Sequence, residues 1–173
     1  MSAITGWRGY FFDDFEAGQI IVHSGGRTLT ETDNTWFTLL TCNTHPVHFN
    51  SDFAAKTEFG RCLMNSTLTL AVVAGMTVTD TSLNTVANLG WESINLPTPV
   101  FAGDTLYAET EILDKRESKS RPYAGIVKAR TRGRNQNGVV VLEYVRSYMV
   151  YKKGQSPKDA LEAERLRLAE SGG

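Results

Sequence analysis

Between Leu63 and Val78 the chain carries Leu68, Leu70, Ala71, Val72, Val73 and Ala74 with almost no polar face, and Asn65 and Ser66 ahead of them are good helix-capping residues. A helix that is apolar all round has to be enclosed, so the remainder of the chain is expected to wrap it. Four segments of strand character follow it, at Thr85 to Leu96, Thr105 to Leu113, Gly125 to Thr131 and Val139 to Tyr151. The turns between them, such as Ala102-Gly-Asp104 and Gly133 to Gly138, are too short for crossover helices, which makes antiparallel pairing the expectation. The chain therefore reads as an α+β fold, with one antiparallel sheet curled around a buried central helix.

The 173 residues are 41% hydrophobic and 21% charged, enough to bury one core. A net charge of -1 gives no field to draw nucleic acid, and no apolar run is long enough for a membrane span. Met1 to Tyr10 lacks the basic start and apolar stretch of a secretory leader, which predicts a cytoplasmic protein. Cys42 and Cys62 make no disulfide framework and read as small core residues. Upstream of the central helix, Gln19 to Leu29 has strand character, Thr30 to Asp33 caps a helix carrying Trp36, Phe37, Leu39 and Leu40, and Asn50 to Lys56 reads as a second short helix. Lys128, Arg130, Arg132 and Arg134 share one strand face, where Glu109 and Glu111 of the preceding strand can neutralise them. From Pro157 the chain becomes a charged helical tail, so the expected organisation is one domain over residues 1–156 and a tail over 157–173.

The segment Thr41 to Phe53 holds two of the three histidines, His45 and His48, around a stiffening Pro46. Imidazole exchanges protons near neutral pH, so His48 is a candidate general acid or base, although a loop histidine can equally be a turn residue satisfied by nearby backbone. Cys42 as a nucleophile lacks an evident orienting acid. With no CxxC pair and no third ligand near the two histidines, no metal site is expected.

Three segments together resemble the MaoC-like acyl dehydratases, hot-dog proteins that hydrate or dehydrate acyl-CoA thioesters: Thr41-Cys-Asn-Thr-His-Pro-Val-His-Phe-Asn50, Phe59-Gly-Arg-Cys-Leu-Met-Asn-Ser66 and Pro99-Val-Phe-Ala-Gly-Asp-Thr-Leu106. Asn65 to Leu70 and Asp80 to Gly90 look most like the branch that includes mesaconyl-CoA hydratases. The family loop has an Asp, then Asn-Pro, then the catalytic His; here His48 matches that histidine, but Asn43 stands at the Asp position and His45 at the Asn position. An amide holds water without accepting its proton. The resemblance implies that His48 performs the proton transfers while Asn43 orients water, that the Ser66 backbone N–H faces the thioester oxygen, and that the Asn65 side chain adds a contact. It also implies an acyl tunnel lined by Trp36, Phe49 and Met64, with Arg61 or Arg27 as the cation for a carboxylated acyl group. No cofactor is implied beyond the coenzyme A of the substrate, and edge-to-edge pairing into a homodimer or larger homo-oligomer is expected, with Val139 to Tyr151 as the strand that needs cover. Two alternatives share the fold. One is a thioester-binding protein without turnover, which Asn43 favours; the other is a thioesterase, whose carboxylate would come from Glu31, Asp33 or Asp52.

Overall fold

The computed structural model describes residues 9–171. Met1 to Arg8, most of the stretch read as lacking a leader, and the final two residues of the tail lie outside the described residues. Six strands, β1 (Ile20–Val22), β2 (Arg27–Thr28), β3 (Thr85–Asn95), β4 (Thr105–Glu117), β5 (Ala124–Arg134) and β6 (Val140–Tyr151), form one sheet in the order β1-β4-β5-β6-β3, with β2 also on β4. Every pairing is antiparallel, as the short connections require. The helices are α1 (Glu31–Leu40), α2 (Ser51–Ala54), α3 (Ser66–Met76) and α4 (Pro157–Ser171). The strand expected from Gln19 to Leu29 is broken in two, because Gly25 turns the chain at φ +80°, a conformation open to glycine at little cost.

Helix α3 lies across the inner face of the sheet, where Leu68 and Val73 pack with Leu106 and Ala108 of β4 and Leu142 and Tyr144 of β6. Gly133 permits the close approach: a Cβ there would sit 2.7 Å from Val73 Cγ2. Burial all round, however, is not what the single chain gives. Leu68, Thr69 and Val73 are buried, whereas Ser66, Thr67, Ala71 and Gly75 are exposed. One sheet covers one side of a helix, and the small outward residues keep the apolar area left in water low.

The helix also stops at Met76, and a π-helical turn, Val78–Ser82, carries Asp80 under β1. There the third histidine, His23, is buried with Nδ1 at 2.7 Å from Asp80 Oδ2 and Nε2 at 2.8 Å from Thr110 Oγ1. Below the same end of α3, buried Arg146 donates to Thr77 Oγ1 at 3.1 Å and lies 4.7 Å from the centre of the Tyr148 ring.

Strand β6, taken from the sequence as an edge in need of cover, is instead flanked by β5 and β3. Its apolarity reflects a central position; β3 forms the edge on that side of the sheet, opposite the β1 edge, and leaves Leu89, Trp91 and Ile94 partly exposed. On the outer face the basic row is neutralised as expected: Arg130 meets Glu111 at 3.1 Å, Arg132 meets Glu143 at 2.7 Å and Arg134 meets Glu109 at 2.8 Å. Helix α4 docks through Ala160 and Ala163 against Tyr123, Ala124 and Met149. Among the described residues no helix is long and apolar enough to cross a membrane.

Helix α1 begins with a reciprocal cap, in which Thr30 Oγ1 accepts from Asp33 N at 3.2 Å and Asp33 Oδ2 accepts from Thr30 N at 2.8 Å. It buries Asn34 and Thr38 and turns Trp36, Leu39 and Leu40 outward. The Asn34 amide donates to His48 O at 2.7 Å and Leu63 O at 3.0 Å and accepts from Asn65 N at 2.8 Å. One side chain thus ties α1 to the histidine loop, to the lead into α3 and to the α3 cap.

Two substitutions test these supports in denaturant titrations. Asn34→Leu keeps a similar volume but strands three backbone groups, and is expected to cost roughly 3 kcal/mol. Gly133→Ala forces a methyl against Val73 and is expected to cost about 2 kcal/mol; an unchanged midpoint in either variant would remove the support assigned to that residue.

Candidate active site

The loop after α1 is held by its own polar groups. Cys42 takes φ +56°, uncommon for a residue with a side chain, and Asn43 N donates to Thr38 O at 3.0 Å. Asn43 Oδ1 accepts from His45 N at 3.0 Å, and His45 Nδ1 accepts from Val47 N at 3.2 Å. Pro46 then opens a 3-10 turn, Pro46–His48, that delivers the second imidazole.

His48 Nδ1 lies 2.9 Å from Leu63 O. A carbonyl only accepts, so this contact assigns the proton to Nδ1 and leaves the Nε2 lone pair of the neutral ring free to take a proton. His45 has the opposite assignment, because its Nδ1 accepts a backbone N–H and the proton of the neutral ring then resides on Nε2. The two rings are 6.0 Å apart.

His48 lines a cleft of about 440 Å³ together with Glu31, Asn34, Phe49, Arg61, Cys62 and Met64. The Arg61 guanidinium stacks 4.0 Å over the Phe101 ring, and among the described residues no carboxylate pairs with it. Burial, aided by the negative charge of Glu31, pushes the Cys62 thiol up from its ordinary value, which works against a thiolate nucleophile. Among the described residues no three His, Cys, Asp or Glu side chains are grouped to hold a metal ion.

Ser66 lines an adjoining cleft of about 210 Å³, and Met64 is common to both walls. Its backbone N–H, the first of α3, has no acceptor among the described residues. The next donor is already taken, because Asn65 Oδ1 accepts from Thr67 N at 3.0 Å and from Thr67 Oγ1 at 2.6 Å.

The residues singled out in the sequence therefore separate. His48, Arg61, Phe49 and Met64 meet in one cleft, Ser66 sits next door, and buried Asn65 caps the helix between the two. Asn43 lines neither cleft, and with its oxygen engaged by the loop only its NH2 group remains to hold a water. Trp36 is not at the cleft: it is 67% exposed on the outer face of α1 beside Leu39 and Leu40, because the inward positions of that helix are polar. Arg27 pairs with Asp33 at 2.6 Å, which occupies the alternative cation. Sequence reasoning missed Asn34. Its signal is the four-residue spacing from Thr38, which places two small polar side chains on the buried face of α1.

A sequence profile of mesaconyl-CoA hydratases matches residues 2–169. The chain is 37% identical to a mesaconyl-CoA hydratase of Cereibacter sphaeroides over 84% of its own length and 42% of the relative's. It is 39% identical to a β-methylmalyl-CoA dehydratase of Chloroflexus aurantiacus, covering 88% of this chain and 43% of that one. A MaoC domain protein of Chloroflexus aurantiacus J-10-fl superposes with a TM-score of 0.82 at 38% identity over 90% of this chain and 44% of that chain. A double hot-dog protein of Mycobacterium tuberculosis, 24% identical with a TM-score of 0.77 over 86% of this chain and 46% of that one, confirms the fold. The chain spans somewhat under half the length of the curated relatives it matches. With its sequence matching the profile over nearly the whole chain and its fold superposing on a MaoC domain protein, the chain belongs to the mesaconyl-CoA hydratase family of MaoC-like hot-dog proteins.

Proposed function

We propose that this protein adds water to, or removes it from, a carboxylated enoyl-CoA thioester in the His48 cleft. The observation that carries the reading is a free imidazole nitrogen and an unpaired guanidinium, Arg61, in one cleft. The acyl groups named for the relatives, mesaconyl and β-methylmalyl, both bear a free carboxylate for such a cation to hold.

In the hydration direction, His48 Nε2 takes a proton from water as the water oxygen bonds to the β-carbon. The π electrons move toward the thioester oxygen. There the Ser66 N–H and the positive end of α3 receive the developing charge, with the thioester lying over the unbranched Met64 side chain between the two clefts. The imidazolium then returns its proton to the α-carbon. Asn43 orders the loop that carries His48 by accepting from His45 N, Asn65 keeps the helix start in place, and Phe49 contributes apolar wall. The chemistry needs no cofactor besides the coenzyme A of the substrate.

The free β3 edge and the outward Trp36, Leu39 and Leu40 support pairing with a second copy of the chain, giving a unit close in size to the longer relatives. A cytoplasmic site of action accords with a substrate built on coenzyme A. One observation favours a second reading, thioesterase: Glu31 places a carboxylate in the same cleft. Release of free thiol, in place of loss of the enoyl band, would identify it.

The test is loss of enoyl-thioester absorbance with mesaconyl-CoA and crotonyl-CoA. His48→Ala is expected to lower kcat by roughly 10² to 10⁴. Arg61→Ala should lower kcat/KM about 10- to 100-fold for mesaconyl-CoA and leave crotonyl-CoA unaffected, the scale of one charge-assisted hydrogen bond. Chelator should change neither rate. An unaltered absorbance with every enoyl-CoA that binds would overturn the reading. Independently, imidazole ¹⁵N shifts should report Nδ1–H for His48 and Nε2–H for His45 in their neutral forms.

A further inference from the structure

Three carboxylates lie on the two helices that frame the His48 cleft: Glu31 and Asp33 on α1, and Asp52 on α2. Two of them are engaged elsewhere. Asp33 closes the α1 cap on Thr30 N at 2.8 Å and pairs with Arg27 at 2.6 Å. Asp52 pairs with Lys56 at 2.7 Å on the surface. Glu31 does neither, although it is the first residue of α1, because the cap is made by Thr30 and Asp33. Among the described residues no cation lies within ion-pair distance of it. It lines the same cleft as His48 and Arg61, and its charge is felt at Cys62 in the wall of that cleft.

The loop itself offers no carboxylate, since Asn43 stands where an acid would be and its oxygen is bonded to His45 N. We propose that Glu31 is a catalytic residue of the hydration reaction, its carboxylate accepting the second hydrogen of the attacking water while His48 takes the first. This rests on the hydratase reading above.

The step balances with one proton moved at a time. His48 Nε2 removes a proton from water, the freed electron pair forms the bond to the β-carbon, and the π electrons pass to the thioester oxygen. The imidazolium proton then goes to the α-carbon, and the water hydrogen held by Glu31 stays on the product hydroxyl. Glu31 itself begins and ends ionised. It fixes the water's lone pair toward the β-carbon and offsets the positive charge that forms on His48. Arg61, in the same cleft, takes the substrate carboxylate away from Glu31, which separates the like charges.

The experiment compares wild type, Glu31→Gln, Asp52→Asn and His48→Ala on mesaconyl-CoA. Glu31→Gln is isosteric at an exposed position and should retain the wild-type thermal midpoint. It is expected to lose roughly 10²-fold in kcat, with no rise in KM. Asp52→Asn should match wild type. A Glu31→Gln variant with wild-type kcat, beside an inactive His48→Ala, would overturn the role of Glu31 while leaving the hydratase reading intact. Absence of hydration by the wild type would overturn both.

Discussion

The Asn34 side chain lies where three backbone segments converge out of reach of water, and each segment arrives with a group that must be paired. His48 O and Leu63 O need donors, and Asn65 N needs an acceptor; an amide is the side chain that supplies both kinds at once. The energetic leverage comes from the cost of leaving such groups unpaired more than from the gain of the bonds themselves. Leu63 O is shared, taking Asn34 Nδ2 at 3.0 Å and His48 Nδ1 at 2.9 Å on its two lone pairs. The atom that sets the imidazole tautomer is therefore itself held by α1. Rotation of that helix would therefore disturb both the backbone of His48 and the carbonyl that holds its ring.

This arrangement explains why α1 carries its polarity the wrong way round for an isolated domain. Its inward face must supply hydrogen bonds to backbone, so Asn34 and Thr38 are buried there, and the larger apolar side chains, Trp36, Leu39 and Leu40, fall on the face that remains. The helix is attached by this polar geometry together with Phe37, which packs against the core. Its start is then free of a common constraint: the reciprocal cap uses Thr30 and Asp33, so Glu31 is not needed to end the helix and can face the cleft.

The strands of the second half were legible because alternation survives in them. The inward positions Leu106, Ala108, Ile112, Val127, Ala129, Leu142 and Tyr148 are all buried, and the charged positions between them pair on the outer face. The continuation of β4 through Asp114 to Glu117 was not visible, since polar residues at a strand end carry no burial signal. Strand order is also absent from any one strand, so β6 read as an edge although its apolarity records two neighbours. At the site, the loop spacing made His48 recognisable, and the lead into α3 pointed to Arg61 and Met64. Trp36 was misplaced because an aromatic residue on a helix is ordinarily assigned inward, while Asn34 was overlooked because a helical amide is ordinarily assigned to water.

The two ends of α3 show how charge is distributed through this fold. At its C-terminus the carbonyl end of the helix meets Arg146, a buried cation bonded to Thr77 and stacked on Tyr148, where a positive charge is favoured. At its N-terminus the opposite holds, for no acidic residue occupies the first turn, and the cap is the neutral Asn65. The positive end of the dipole is thus left without a counter-charge from the protein, and the Ser66 N–H is left without an acceptor among the described residues. An acid in that first turn would stabilise the helix by up to about 1 kcal/mol, and in the proposed hydration it would also place a fixed negative charge where the enolate oxygen would develop. The neutral cap leaves the helix end open to such a charge, and the interactions that hold α3 come instead from its far end and from the apolar face on the sheet.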